Sequence, residues 1–333
     1  MIRIGVIGYG YWGPNIVRNL RSLEGCQVAA VCDQSPAARK RIGQAHPDLR
    51  VTSEPAELLT SAAIDAVAVV TPVSTHFELG KAALQNGKHL FMEKPFTSTT
   101  QQAEELIELA AQKNLTIMVD HTFLFTGAVR KIRQLIDEGV LGDLYYYDST
   151  RVNLGLFQHD VSVIWDLAPH DLSIIDFLIQ STPEAVLATG QAHLNGLVDV
   201  AFITIYFPNN TIAHLNVNWL SPVKVRTTLI GGEKRMLVWN DLEADEKLKV
   251  YDKGVEMTNG QGLYDLLVSY RSGDMWAPRV EQTEALRVEL GHFLDCVTNG
   301  RTPINDGAAG LRVVQILEAA DQSLKASGRA IEL

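Results

Sequence analysis

The stretch IRIGVIGYGYWG, from Ile2 to Gly13, decides the fold. Ile4, Val6 and Ile7 form a short apolar run that fits a buried strand. The run ends in Gly8-Tyr9-Gly10-Tyr11-Trp12-Gly13, a G-x-G-x-x-G, and Pro14 to Leu20 then carries helical spacing. Gly8 permits a tight turn, Gly10 lets a pyrophosphate approach the backbone, and Gly13 lets the helix pack on the strand. The start of the helix offers unpaired N–H groups and a positive dipole end to phosphates. A second strand, Val28 to Cys32, ends at Asp33, 20 residues beyond Gly13. That is where an acid accepts hydrogen bonds from the adenosine ribose hydroxyls. A G-x-G-x-x-G alone is equally an ordinary glycine-rich turn. With strand, helix, second strand and acid in register, the N-terminal part reads as a dinucleotide-binding unit.

A chain of 333 residues has room for about two domains, each with a sizeable core. The net charge of −10 argues against nucleic acid or an anionic membrane as a general partner. No apolar run approaches the roughly 20 residues needed to span a bilayer. The first residues lead directly into a strand, without the pattern of a signal peptide. Cys26, Cys32 and Cys296 are sparse and lack C-x-x-C spacing. They suit buried thiols in a reducing cytoplasm better than disulfides or a metal site, and no metal is expected.

Strands and helices alternate up to Asp120, the pattern of a doubly wound parallel sheet. Beyond it come runs rich in β-branched and aromatic residues, such as Leu144 to Val152, Val200 to Phe207 and Thr211 to Trp219. Their short spacing predicts a large, mostly antiparallel sheet, interrupted by a helix over Ser162 to Leu178 and followed by two more helices. Residues 253–278, with Gly254, Gly260, Gly262 and Gly273, read as a long loop. The expected division is a dinucleotide-binding domain over 1–121 and an α+β domain over 122–333. The bare sheet face needs a cover, which a two-fold partner sheet supplies, so a homodimer or homotetramer is expected.

Glu93-Lys94-Pro95 follows a strand of the first domain, so its side chains are expected in the cofactor crevice. A desolvated lysine there donates to a substrate oxygen and stabilises a developing alkoxide; the other reading is a solvated surface lysine. Asp166 and His170 are four residues apart and share a helix face if the helix holds both. Pro169 belongs in a first turn, which puts the helix start near Leu167 or Ala168. His170 can take a hydroxyl proton as hydride leaves carbon, or it is a core histidine satisfied by Asp166 or Asp171. Arg151 and Asn153 could bind a sugar carboxylate, amide or phosphate, or Arg151 is a solvent-facing strand charge. Arg279 is a weaker diphosphate candidate. Asp33 repels a 2′-phosphate and has no arginine directly after it, so NAD is expected over NADP. Arg39, Lys40 and Arg41 read as charges on an exposed helix face.

The combination of GYGYWG, Asp33, Thr71-Pro72 with His76, Glu93-Lys94-Pro95 and Asp166-x-x-x-His170 resembles the Gfo/Idh/MocA oxidoreductases over essentially the whole chain. The resemblance implies a Rossmann domain, a C-terminal domain with an open antiparallel sheet, and NAD(P)-dependent redox chemistry on a sugar or cyclitol. It implies Lys94 and His170 as the catalytic pair, with Asp166 assisting or binding a substrate hydroxyl. It also implies Thr71, Pro72, His76 and Glu93 beside the nucleotide and nicotinamide, with Tyr11 and Trp12 in the cofactor turn. Ala168 stands where many members have glycine, and Val163-Ile164-Trp165 replaces a glycine-rich approach. Phrases such as Tyr11 to Asn15, Asp120 to Phe123, Arg151 to Gly155 and Trp165 to His170 are similar to the branch that oxidises C3 of UDP-N-acetylglucosamine or its uronic acid. A sugar 3-ketoreductase, an inositol or glucose-type dehydrogenase, and a non-catalytic dinucleotide or sugar sensor are the alternatives.

Overall fold

The computed structural model describes residues 1–155, 160–259 and 266–333. The chain forms two compact units: Met1–Phe125 with Thr283–Glu318, and Thr126–Gln282 with Ala319–Leu333.

The first unit starts with β1 (Ile2–Ile7), α1 (Gly13–Ser22), β2 (Cys26–Cys32), α2 (Pro36–Ala45), β3 (Arg50–Thr52) and α3 (Pro55–Leu59). It continues with β4 (Ala66–Val69), α4 (His76–Gln85), β5 (His89–Met92), α5 (Thr100–Lys113) and β6 (Ile117–Val119). The six strands pair in parallel in the order β3-β2-β1-β4-β5-β6. All four residues of β4 are buried, as a strand covered on both faces requires. The chain reverses its winding between β1 and β4, where open α/β sheets hold ligands at the strand C-termini.

The second unit holds α6 (Gly127–Asp137), β7 (Leu144–Leu154), α7 (Val163–Ile179), β8 (Ala185–Gln191), β9 (Val200–Tyr206) and β10 (Ile212–Asn218). Then come β11 (Leu220–Gly232), β12 (Met236–Asn240), β13 (Leu248–Asn259) and β14 (Leu266–Trp276). Two helices follow, α8 (Ala285–Asn299) and α9 (Gly307–Lys325), and β15 (Ile331–Glu332) closes the chain. The nine-stranded sheet runs β14-β13-β12-β11-β7-β10-β9-β8-β15, antiparallel except for β7 with β10. Along β9, Ala201, Ile203 and Ile205 are fully buried while Phe202 and Tyr206 are 41% and 40% exposed. One face carries the core under α7, and the other exposes Phe202 and Tyr206.

Three expectations change. A cut at residue 121 leaves α8 with the second unit, whereas α8 packs with the first. Phe293 sets its ring 5.6 Å from Phe91, and Glu284, just before α8, pairs with Arg18 on α1 at 2.6 Å. Within the expected loop over 253–278, residues 253–259 belong to β13 and 266–276 to β14. There Gly254 and Gly273 make room for side chains: a Cβ on Gly254 would lie 2.8 Å from the Arg271 guanidinium, and one on Gly273 2.6 Å from the Asp252 carboxylate. Arg271 Nε donates to Asp252 across the pair at 3.0 Å, so these glycines admit an ion pair rather than a turn. Gly260 and Gly262 lie outside the described residues. Finally, the helix over Ser162 to Leu178 is found, but not the start near Leu167 or Ala168 that Pro169 suggested: α7 begins at Val163, with Pro169 inside it. Burial of Val163, Ile164, Ala168, Pro169 and Leu172 on one helix outweighs the backbone hydrogen bond that proline forgoes.

Candidate active site

In the first unit the glycine turn is built for close approach. Gly8 has φ +103°, and a Cβ there would lie 2.2 Å from Val70 O. A Cβ on Gly13 would lie 2.4 Å from Gly8 O, so the turn closes onto the start of α1 only without one. Gly10 meets nothing within 4 Å, which leaves the backbone open to a pyrophosphate. The Asp33 carboxylate is fixed by Tyr9 N–H, donating to Oδ2 at 2.7 Å, and Ser35 N–H, donating to Oδ1 at 2.8 Å. Its remaining lone pairs can take ribose hydroxyls. These residues fit a dinucleotide. Arg39 and Arg41 are not simply solvated charges. Arg39 donates to the carbonyls of Asp33 and Gln34 at 2.8 and 2.7 Å, and Arg41 to that of Tyr9 at 3.0 Å.

The C-terminal ends of β4, β5 and β6 carry the next group. His76, expected beside the nucleotide, is fully buried. Its Nδ1 lies 2.8 Å from Pro95 O and its Nε2 2.7 Å from Thr71 O. It therefore ties the segment after β4 to the segment after β5, and burial pulls its pKa down against the pull of those carbonyls. Thr71 bonds Thr75 at 2.7 Å and Pro72 is exposed. Glu93 and Lys94 are half-buried at the end of β5, and the Lys94–Pro95 peptide is cis. Tyr11 is 86% exposed. Trp12 turns inward, and its Nε1 donates to Asp120 Oδ2 at 2.9 Å. Asp120, at the end of β6, also accepts from Thr122 Oγ1.

In the second unit, α7 presents Asp166 and His170 one turn apart, both half-buried. Trp219, after β10, donates its Nε1 to Asp166 Oδ2 at 3.2 Å. Gly155 N–H donates to Trp219 O at 3.1 Å, and a Cβ on Gly155 would meet the Trp219 ring at 2.9 Å and Asn153 Oδ1 at 3.0 Å. Asn153 Oδ1 is buried without a hydrogen-bond partner among the described residues. Asn153, Asp166 and Trp219 are thus one polar cluster beside the helix that carries His170. Arg151 departs from the expected substrate role. It is 5% exposed and bonds Asp171 through Nε at 2.5 Å and Nη2 at 3.3 Å. Burial works against its charge, but Asp171 overrules it and keeps the guanidinium pKa high. Arg279 is exposed. Trp219 escaped sequence reasoning: it lies in no recognisable spacing and meets Asp166 through the fold.

Residues 2–121 match the family model described as "Oxidoreductase family, NAD-binding Rossmann fold", and residues 129–238 match the GFO/IDH/MocA C-terminal domain. The chain belongs to the Gfo/Idh/MocA family. This family member is therefore an NAD-binding oxidoreductase with a Rossmann domain and an open-sheet domain. It is 29% identical over 322 residues to the UDP-N-acetylglucosamine 3-dehydrogenase of Acidithiobacillus ferrooxidans, covering 94% of each chain. It is 26% identical to the NAD-dependent scyllo-inositol 2-dehydrogenase of Bacillus subtilis, over 91% of this chain and 88% of that one. Among solved structures, the Acidithiobacillus enzyme matches with a TM-score of 0.81 and 27% identity over 98% of both chains.

Proposed function

We propose that this oxidoreductase transfers hydride from C3 of a UDP-N-acetylhexosamine, or its uronic acid, to NAD, giving a 3-keto sugar. The observation that carries the chemistry is α7: Asp166 and His170 stand on one helix face, with Asp166 held by Trp219. His170 takes the hydroxyl proton, and Lys94 stabilises the alkoxide with its charge. Nicotinamide, when bound, accepts the hydride. Asn153, with its buried Oδ1, is a substrate acceptor for an N–H or O–H group. Arg151 stays structural, holding β7 to α7 through Asp171. Full-length similarity to a UDP-N-acetylglucosamine 3-dehydrogenase supports the substrate class; similarity to an inositol dehydrogenase keeps cyclitols as the second reading. Asp33 favours NAD over NADP by charge. The bare sheet face favours a homodimer or homotetramer, and the protein is assigned to the cytoplasm. The test is His170→Ala and Lys94→Ala: each lowers turnover by about 10²-fold or more while NAD affinity survives, and near-normal turnover in both refutes the assignment.

A further inference from the structure

Glu289, on α8, is fully buried. Asn305 Nδ2 donates to its Oε1 at 3.0 Å and to Val119 O at 2.6 Å. Its Oε2 is buried with no donor, and among the described residues no lysine or arginine pairs with it. The Asp120 carboxylate and the Thr122 hydroxyl lie beside it, and Glu93 adds negative charge nearby. Two adjacent buried carboxyls without a cation cannot both ionise at reasonable cost. Asp120 already acts as an acceptor: Trp12 Nε1 and Thr122 Oγ1 both donate to it. Glu289 is the neutral partner, since burial first and Asp120 second raise its pKa well above the carboxylate range. A proton on Oε2 satisfies the orphan oxygen and supplies Asp120 with a third donor.

We propose that Glu289 is a positioning residue for the dinucleotide turn: as a neutral acid it donates to Asp120, which in turn holds Trp12 and so fixes the turn from Gly8 to Gly13. Ionising Glu289 sets two carboxylates side by side, displaces Asp120 from the indole and loosens the turn. This rests on the NAD-binding domain and not on the substrate or on the roles of Lys94 and His170. Other titratable groups lie close: Lys94 follows Glu93, His121 follows Asp120, and His292 lies on α8 with Ile304 N–H donating to its Nε2 at 3.2 Å. A comparison of variants across pH separates Glu289 from them.

The experiment is NAD titration of the whole protein, without substrate, from mildly acidic to strongly alkaline pH, for wild type, Glu289→Gln, Asp120→Asn and Trp12→Phe. Wild type should lose about tenfold in NAD affinity along the alkaline arm, the equivalent of one hydrogen bond to a charged acceptor. Glu289→Gln keeps a donor and cannot ionise, so its affinity should match wild type near neutral pH and stay flat above it. Trp12→Phe should bind about tenfold more weakly already at neutral pH. If Glu289→Gln does not fold, Asp120→Asn serves instead: it relieves the like-charge pair and should also flatten the profile. Infrared spectra should show a protonated-carboxyl carbonyl band in wild type that Glu289→Gln removes. An alkaline loss identical in wild type and in the folded variants, or a missing carbonyl band, overturns the proposal. Because only NAD binding and a carbonyl band are read, failure here is distinct from failure of the proposed sugar oxidation.

Discussion

At the scale of single residues, the protein separates charge from neutrality by what each carboxyl touches. Asp33 accepts two backbone N–H groups and stays an acceptor, whereas Glu289, facing Asp120 without a cation, keeps its proton. Asp33 also stands close to two guanidiniums already turned toward the ribose end of the turn, those of Arg39 and Arg41. Asp33→Ala should therefore lower the ratio of NAD to NADP in kcat/KM by about tenfold or more, a loss of one charge-assisted contact. Equal-concentration turnover with both cofactors measures it, and an unchanged ratio removes Asp33 as the discriminator. For the proposed general base, His170→Ala should cost about 10²–10⁴-fold in kcat, read by single-turnover kinetics.

At the scale of elements, β1, the glycine turn, α1 and β2 were legible because their signals are local. A strand's apolar run, three glycines and an acid are all read within one stretch of chain. The extent of α7 was legible too, expected over Ser162 to Leu178, but the start that Pro169 suggested was not, because proline's preference for a first turn yielded to burial along the helix. The β13–β14 pair was hidden since its glycines look like turns until Arg271 and Asp252 fill the space beside them. Arg151 was open in the sequence between a substrate contact and a solvent-facing strand charge, and its buried ion pair with Asp171 excludes the solvent-facing reading. Asp171→Ala should accordingly destabilise the protein by about 3–5 kcal/mol, because it strands a buried guanidinium; chemical denaturation measures it. Helix α8 adds a pH effect. A carboxyl whose folded pKa is raised contributes stability that is fully present below its unfolded value, about 4.3, and is lost as pH rises toward the folded value. The melting temperature of Glu289→Gln should thus gain on that of wild type as pH rises. A difference that stays constant with pH denies Glu289 its proton.

At the scale of the whole molecule, the two sheets have opposite needs. The parallel sheet is covered by its helices, while the nine-stranded sheet leaves Phe202, Tyr206, Ile212 and Leu229 between 36% and 41% exposed on one face. Isolated apolar residues at a surface are ordinary, but a row of them across neighbouring strands favours a second copy. Phe202→Asp should shift sedimentation from dimer or tetramer toward monomer without lowering NAD affinity, and a wild-type monomer at micromolar concentration excludes the oligomer. Membership of the family was legible from spaced motifs; the substrate was not, because the fold, and no spacing in the sequence, brings residues such as Asn153 and Trp219 together. The most direct measurement is to incubate the protein with NAD and a panel of UDP-sugars, free sugars and inositols while following nicotinamide absorbance. NAD should be reduced with UDP-N-acetylglucosamine or its uronic acid, and not by His170→Ala or Lys94→Ala. Reduction with inositols or free sugars alone, or with none of the panel, would contradict it.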